Sequence, residues 1–401
     1  MKNSRRDFLK ASALASASLM MPKFLFAGLN GGSALRNGKK LVVIQFSGGN
    51  DGLNCVIPFS TDTYYELRPD ISIYRDEVLK ITTDAALNPN LSFLADLYHD
   101  GNLAIINSVG YPNPNRSHFR SMDIWQSGSG SEEYFSSGWL GRALDSTCND
   151  NCTMPHTAIE LDDTLSLALK GEKIKGLALR NPKMLYQSTR QPMLRKIAEE
   201  NLSPSNADNS VDFLHKTLTD TMHSADYLFN QSKIYSSKSF YPDNFFTKQM
   251  KQIAELIISG SETSVYYISL SGFDTHILQK GAQNKLLKIF SDTLSVFCND
   301  LKANSRFNET LIMTFSEFGR RVAQNGSKGT DHGTANVVFF AGGGLRKAGL
   351  QNPLPDLEHL IDGDLQHTVD FRNIYSTVLQ NWLNVDSSQV LKGKFSTMEF
   401  V

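Results

Sequence analysis

The chain is short of the features that sort a protein quickly. Only 4 of its 401 residues are cysteine, which excludes a disulfide-rich scaffold. Charge of neither sign dominates: 40 Lys and Arg stand against 41 Asp and Glu, for a net charge of -1. No extended field is therefore available to hold nucleic acid or an anionic membrane surface. No uninterrupted apolar run reaches about 18 residues, so an ordinary membrane span is missing beyond a possible uncleaved signal anchor. Internal repeats are absent, and the one biased stretch is a Gly/Asn/Ser-rich linker at 28–38. What is present is 40% hydrophobic residues, 24 Phe and 20% charged residues, enough to bury a large core and too apolar for a disordered chain.

Residues Ser4-Arg5-Arg6-Asp7-Phe8-Leu9-Lys10 precede a weakly apolar Ala/Ser-rich stretch from Ala11 to Met21. A basic segment followed by a short apolar one is the order of a signal peptide, and the paired arginines match the twin-arginine export pattern. Residues 1–27 are read as that address, cleaved near Ala27 or kept as an anchor. Handling by the twin-arginine translocase and a periplasmic or secreted location follow as expectations. An oxidising compartment permits Cys148 to pair with Cys152 across Asn149-Asp150-Asn151.

From residue 39 onward, near-continuous apolar runs alternate with helical patterns. The runs are Leu41–Phe46, Leu103–Val109, Val265–Leu270, Thr310–Phe315 and Val337–Ala341; such runs read as strands buried on both faces. Helical spacing marks Leu91–Asp100, Arg120–Gln126, Leu286–Leu301 and Ile374–Leu383. The alternation predicts an α/β fold, a doubly wound and mainly parallel sheet with helices on both faces. A polar, mostly helical segment at about 190–260 is expected as an insertion or lid on that sheet.

Ligands of open α/β sheets bind outside the carboxyl ends of the strands, and polar residues gather there in this chain. Asn50-Asp51 follows the first run; Asn115-Arg116-Ser117-His118 the second; Asp274-Thr275-His276 the third; Ser316-Glu317 and Arg320-Arg321 the fourth; Asp331-His332 lies in a loop. Carboxylates and imidazoles together are the donor set for zinc or a similar divalent cation, one ion or two. Two ions would clamp the attacking and leaving oxygens of a phosphoryl or sulfuryl transfer. Ser117 is a candidate nucleophile beside His118, and equally a candidate N-cap. Arg320 is a candidate oxyanion fork, or one of a surface pair with Arg321. His215 and His223 fall in the polar segment and read as surface residues.

The leader, Phe46-Ser47-Gly48-Gly49-Asn50-Asp51-Gly52, Arg116-Ser117-His118-Phe119, Gly272-Phe273-Asp274-Thr275-His276, Ser316-Glu317-Phe318-Gly319-Arg320 and Gly329-Thr330-Asp331-His332-Gly333-Thr334 together resemble a bacterial exported family, domain of unknown function 1501. That family resembles the alkaline phosphatase and sulfatase superfamily, which implies a metal-dependent hydrolase scaffold. The resemblance implies that Asp51 is a metal ligand after the first strand and that Ser117 stands at the nucleophile's place. It likewise implies Asp331-His332 and Asp274 with His276 as the two metal pairs, and His367 as a last metal histidine before the closing helix; Glu317 is without a sulfatase counterpart but fits a carboxylate ligand by its type. Arg116-Ser117-His118 differs from the sulfatase Cys-x-Pro-x-Arg motif. Two functions stay open: hydrolysis of a phosphate or sulfate ester of a small molecule or polysaccharide, or a non-catalytic accessory or binding protein of the cell envelope.

Overall fold

Leu41 through Phe46 alternate between two separate apolar layers, and that alternation organises the molecule. In the computed structural model, which describes residues 38–147, 154–199 and 209–401, Val42, Ile44 and Phe46 belong to one core cluster and Leu41 and Val43 to the other. A strand that is apolar on both faces can be stable only if helices cover both faces. The leader and the Cys148–Cys152 pair lie outside the described residues. Cys55 and Cys298 are free and buried.

The elements used below, in chain order, are β1 (Lys40–Ser47), α1 (Ser92–His99), β2 (Leu103–Gly110), α2 (His118–Ser127), α3 (Trp139–Ser146), β3 (Ala158–Glu160), β4 (Leu177–Ala178), α4 (Asn209–Gln231), α5 (Phe245–Ile258), β5 (Val265–Ser271), α6 (Gln279–Ala303), β6 (Thr310–Phe315), β7 (Asn336–Ala341), β8 (Gly349–Leu350), β9 (Val369–Asp370) and α7 (Phe371–Thr377). They form one sheet of order β8-β2-β7-β6-β1-β5-β3-β4, with β9 also paired to β2. Leu41 of β1 faces Val265 of β5 on one side and Leu311 of β6 on the other, both in parallel register. The sequence expectation of a mainly parallel sheet is met.

One of the five apolar runs goes the other way. β7 is antiparallel to both of its neighbours, β2 and β6. Its amino end therefore lies at the edge where the parallel strands have their carboxyl ends. The connection from Ser316 to Ala335 never crosses the sheet, and it keeps Glu317, Arg320, Asp331 and His332 at that edge.

On one face, α1, α5 and α6 bury Leu94, Met250, Ile253, Leu287, Phe290, Leu294 and Phe297 against the strands. On the other, α2, α3 and α7 contribute Ile124, Trp125, Trp139, Phe371 and Tyr375, with the Trp125 ring stacked between Phe315 and Phe371 at 5.4 and 4.4 Å. The segment at 190–260 divides. α4 packs on the helix Pro182–Thr189, with Tyr186 stacked on Phe229 at 4.1 Å, whereas α5 lies in the core of the sheet. The spacing of Met250, Ile253, Ala254 and Ile257 is the helical core signal that sets α5 apart from the polar stretch before it.

Glu160 at the end of β3 is 4% exposed and accepts a hydrogen bond from the Ser166 backbone N–H at 2.6 Å. Burial pushes its carboxyl up to about 7, and the Ser166 bond only partly offsets this. A folded-state value above the unfolded one costs stability as pH rises: the penalty begins near the unfolded value of about 4.5 and is complete above about 7. Glu160→Gln removes the charge, so at pH 8 it should raise stability by up to about 3 kcal/mol, with the gain vanishing toward pH 4. Chemical denaturation of both proteins across that range checks this. A gain independent of pH would show that charge burial is not its cause.

Candidate metal centre

Four side chains from different loops meet at the carboxyl edge of the sheet. His118 opens α2, which follows β2; Asp274 and His276 follow β5; His332 precedes β7. Ligand atoms of His118, Asp274 and His332 all lie within 4.8 Å of one another. His276 joins them, its Nε2 being 3.0 Å from Asp274 Oδ1 and 3.0 Å from His332 Nε2. Asp274 Oδ1 is also 3.3 Å from His332 Nε2, and Oδ2 is 3.5 Å from His118 Nε2.

Each imidazole is anchored from behind through its other nitrogen. His118 Nδ1 meets Glu317 Oε1 at 2.9 Å, His276 Nδ1 meets Asp331 Oδ1 at 3.3 Å, and His332 Nδ1 meets the Arg116 carbonyl at 2.8 Å. A carbonyl or an ionised carboxylate can only accept, so each Nδ1 donates to its partner behind the ring, which turns each Nε2 toward the centre. His276 Nε2 and His332 Nε2 stand 3.0 Å apart, with Arg320 Nη1 3.4 Å from His276 Nε2. Three imidazole nitrogens and a carboxylate are the donor set that suits zinc and similar borderline divalent ions, with the outer-layer bonding typical of histidine ligands. The residues fit a cation on that ground.

The electrostatics agree. Burial pulls the His332 imidazole below its ordinary range, against the raising effect of the Arg116 carbonyl and Asp274. Burial would push the Asp274 carboxyl up, but the Arg320 guanidinium and the His332 ring outweigh it and hold the group below the usual carboxylate range. Asp331 is lowered first by its bond from Asn325 and then by His276. The site is open to solvent: the Asp274 side chain is 49% exposed and that of His118 is 34% exposed.

The approach of the first loop depends on Gly48, at φ +122°, where a Cβ would stand 2.4 Å from the Asp274 backbone nitrogen. Its N–H donates to Glu317 Oε1 at 2.8 Å, so the oxygen that anchors His118 is itself held in place. A backbone this close to a neighbour and in the left-handed region requires glycine.

Several sequence expectations are corrected by placement. Asp51 does not face the cluster. It is buried, with Oδ2 accepting from Arg68 Nη1 at 2.6 Å and from Gln279 Nε2, and Oδ1 from the Leu53 N–H at 3.2 Å. A buried carboxylate paired with a guanidinium and accepting two further hydrogen bonds is turned away from the cluster and compensated by its own partners. Glu317 and Asp331 stand behind histidines instead of pointing at the centre. His118, read from the sequence as a catalytic neighbour of Ser117, lies in the cluster with Asp274 and His332. Arg320 is buried, its Nε donating to the Gly49 carbonyl at 2.6 Å, Nη1 to Thr330 O at 2.9 Å, and Nη2 to Phe273 O at 3.0 Å and Asp274 Oδ1 at 2.7 Å. With its fork filled by carbonyls it is not free to take an oxyanion. His367 is outside the cluster and packs against Gly110.

Ser117 occupies the N-cap position of α2, but its hydroxyl makes no capping bond, and its own N–H donates to Asn115 Oδ1 at 2.8 Å. It is exposed and directly precedes His118. The sequence reading missed Arg68, the partner of Asp51, and Asn325, which donates to Asp331 at 3.2 Å. Neither carries a motif, since their roles depend only on what folds against them.

Two sets of variants separate ligands from supports. Asp274→Ala and His332→Ala should each abolish metal retention in elemental analysis, whereas Glu317→Ala, which frees His118 to rotate, should weaken it about 10–100-fold. Equal metal content in all three would remove the site. Asp51→Asn should leave metal content unchanged and destabilise the fold by about 3–5 kcal/mol, because Arg68 would stay buried without its partner; urea denaturation beside the same metal analysis checks it.

No curated protein sequence matches this chain. Among solved structures it is similar to Ps i-CgsB in complex with k-i-k-neocarrahexaose, at 13% identity and TM-score 0.41, covering 89% of this chain and 75% of that one. It is also similar to the PsFucS1 sulfatase from Pseudoalteromonas sp., at 12% identity and TM-score 0.38, covering 90% and 70%. A TAB5 alkaline phosphatase mutant with Mg bound matches at 12% identity and TM-score 0.32, covering 78% and 94%. These likenesses are remote. The family model described as "Protein of unknown function (DUF1501)" matches residues 103–393, most of the chain, and the protein belongs to that family.

Proposed function

We propose that this chain is a hydrolase of phosphate or sulfate esters that holds one divalent cation through His118, His276, His332 and Asp274. The observation that carries the reading is the convergence of three imidazole Nε2 atoms on one carboxylate, each ring fixed from behind. A cation bound there supplies Lewis-acid charge for an ester oxygen and lowers the pKa of a nearby hydroxyl or water. The half-exposed Asp274 and the compact set of three, His118, Asp274 and His332, favour a reactive site over a structural one, because a catalytic metal keeps a position open beside three protein ligands. Engagement of Asp51 by Arg68 favours one ion over two.

The chain's own residues then have distinct tasks. Glu317 and Asp331 accept from the outer nitrogens of His118 and His276 and fix the orientation of both rings. Ser117 presents a hydroxyl with no competing hydrogen bond at the start of α2, where the first backbone N–H groups have no partner within the helix and favour an anion. That placement makes Ser117 the nucleophile in this reading.

Export by the twin-arginine route is part of the proposal, and it rests on Arg5 and Arg6. No helix among the described residues is long and apolar enough to cross a membrane.

The test is elemental analysis of purified protein together with a screen of phosphate mono- and diesters and aryl sulfates with added divalent metals. About one equivalent of metal and turnover are expected. Ser117→Ala should lower turnover by orders of magnitude and leave metal content and melting temperature as in the parent, since no capping bond is lost. Turnover at the parent rate in that variant would discard Ser117 as nucleophile. Bound metal with no turnover of any ester would favour a cation-holding accessory protein of the envelope.

A further inference from the structure

A cleft of about 430 Å³ opens beside the cluster, and the reading above leaves it without a role. Arg116 forms part of its wall. The carbonyl of the same residue anchors His332, and Ser117 and His118 follow it in the chain. Cleft and cluster thus share the segment from Arg116 to His118 as a common boundary.

Two polar groups in the cleft, Asp364 Oδ1 and the His367 imidazole, have no hydrogen-bond partner among the described residues. Asp364 is 1% exposed; one oxygen accepts from Arg116 Nη2, and the other, Oδ1, is buried with no donor. His367 makes no hydrogen bond or ion pair among the described residues. Its seat exists only because residue 110 is glycine: a Cβ there would stand 2.9 Å from the His367 Cβ. The imidazole is therefore held at the end of β2 by close packing, with its ring nitrogens unspent. A buried acceptor without a donor is costly to folding and rare in native proteins, and it asks for an explanation outside the protein's own hydrogen bonds.

The lining indicates the kind of group that would supply that donor. Arg116 stands in the wall with Asp362 and Asp364, so the lining carries charges of both signs. Tyr111 is the aromatic side chain in its wall and is only 2% exposed, which leaves no open ring face for an aryl group to stack on. Leu365 and Ala335 give it apolar patches between the polar groups. A neutral ring carrying hydroxyls on its edge and C–H groups on its faces matches both kinds of surface, and the volume is that of an ordinary small-ligand pocket.

We infer that this cleft seats the hydroxyl-bearing, sugar-like alcohol part of the ester, with Asp364 Oδ1 accepting from one hydroxyl and His367 bonding a second. The inference rests on the ester reading above, in which the anionic head lies at the His118–His276–His332–Asp274 cluster.

The test is isothermal titration of the full-length protein, as purified and after chelation, with glucose 6-sulfate, methyl sulfate and glucose. Glucose 6-sulfate should bind at least about tenfold more tightly than methyl sulfate, the worth of one or two net hydrogen bonds. His367→Ala, and His367→Trp, which fills the seat, should remove that advantage while methyl sulfate affinity, metal content and melting temperature stay as in the parent. After chelation, methyl sulfate binding should disappear and a weaker, His367-dependent affinity for glucose should remain. Equal affinity for the two sulfates, or an unchanged advantage in both His367 variants, overturns the assignment of the cleft. A protein without metal or turnover that still binds glucose through His367 would fail the hydrolase reading and keep the cleft as a sugar site.

Discussion

One buried guanidinium holds the carboxyl edge of the sheet together. Arg320 donates to Gly48 and Gly49 after β1, to Phe273 and Asp274 after β5, and to Thr330 before β7. A cation removed from water needs compensation on every side, and here the backbone carbonyls and the Asp274 carboxylate provide it. The loops cannot move apart without leaving a buried charge unpaired. Arginine can do this where lysine could not, because five N–H donors in a rigid plane reach several acceptors in fixed directions. The positions of His276, Asp274 and His332 relative to the first loop follow from that tie.

Onto this frame a second layer is fitted. The Glu317 carboxylate accepts at one oxygen from both Gly48 and His118, so loop, support and ligand are linked through a single atom. Asp331 is held by Asn325 on one side and serves His276 on the other. Groups that could have been ligands by type are thus used to orient ligands, which fixes the tautomer and direction of each ring.

Asp51 and Asp274 show how the same residue type at equivalent places meets different ends. Both follow central strands at the carboxyl edge. Arg68, arriving from a loop, buries Asp51 and neutralises it completely, while Asp274 shares its guanidinium with four carbonyls and keeps half its surface in solvent. What separates an ion-pair carboxylate from one available to a cation is the residue that packs against it.

The strands and most helices were legible in the sequence because burial on both faces leaves an unbroken Val/Ile/Leu/Phe run, and one-sided burial leaves three- and four-residue spacing. The meeting of His118, Asp274, His276 and His332 at one edge was legible for the same reason, since each follows or borders such a run. The direction of β7 was not, because the run Val337–Ala341 looks the same in a parallel or antiparallel strand. Reading 190–260 as one polar segment passes over the three- and four-residue spacing of Met250, Ile253, Ala254 and Ile257 that marks α5. The division of the acidic and basic groups into ligand, support and buried pair was decided by tertiary structure alone. It depends on contacts between residues such as Asp51 and Arg68, or Gly48 and Glu317, whose pairing leaves no periodic trace along the chain because a hydrogen bond records distance in space and not separation in sequence.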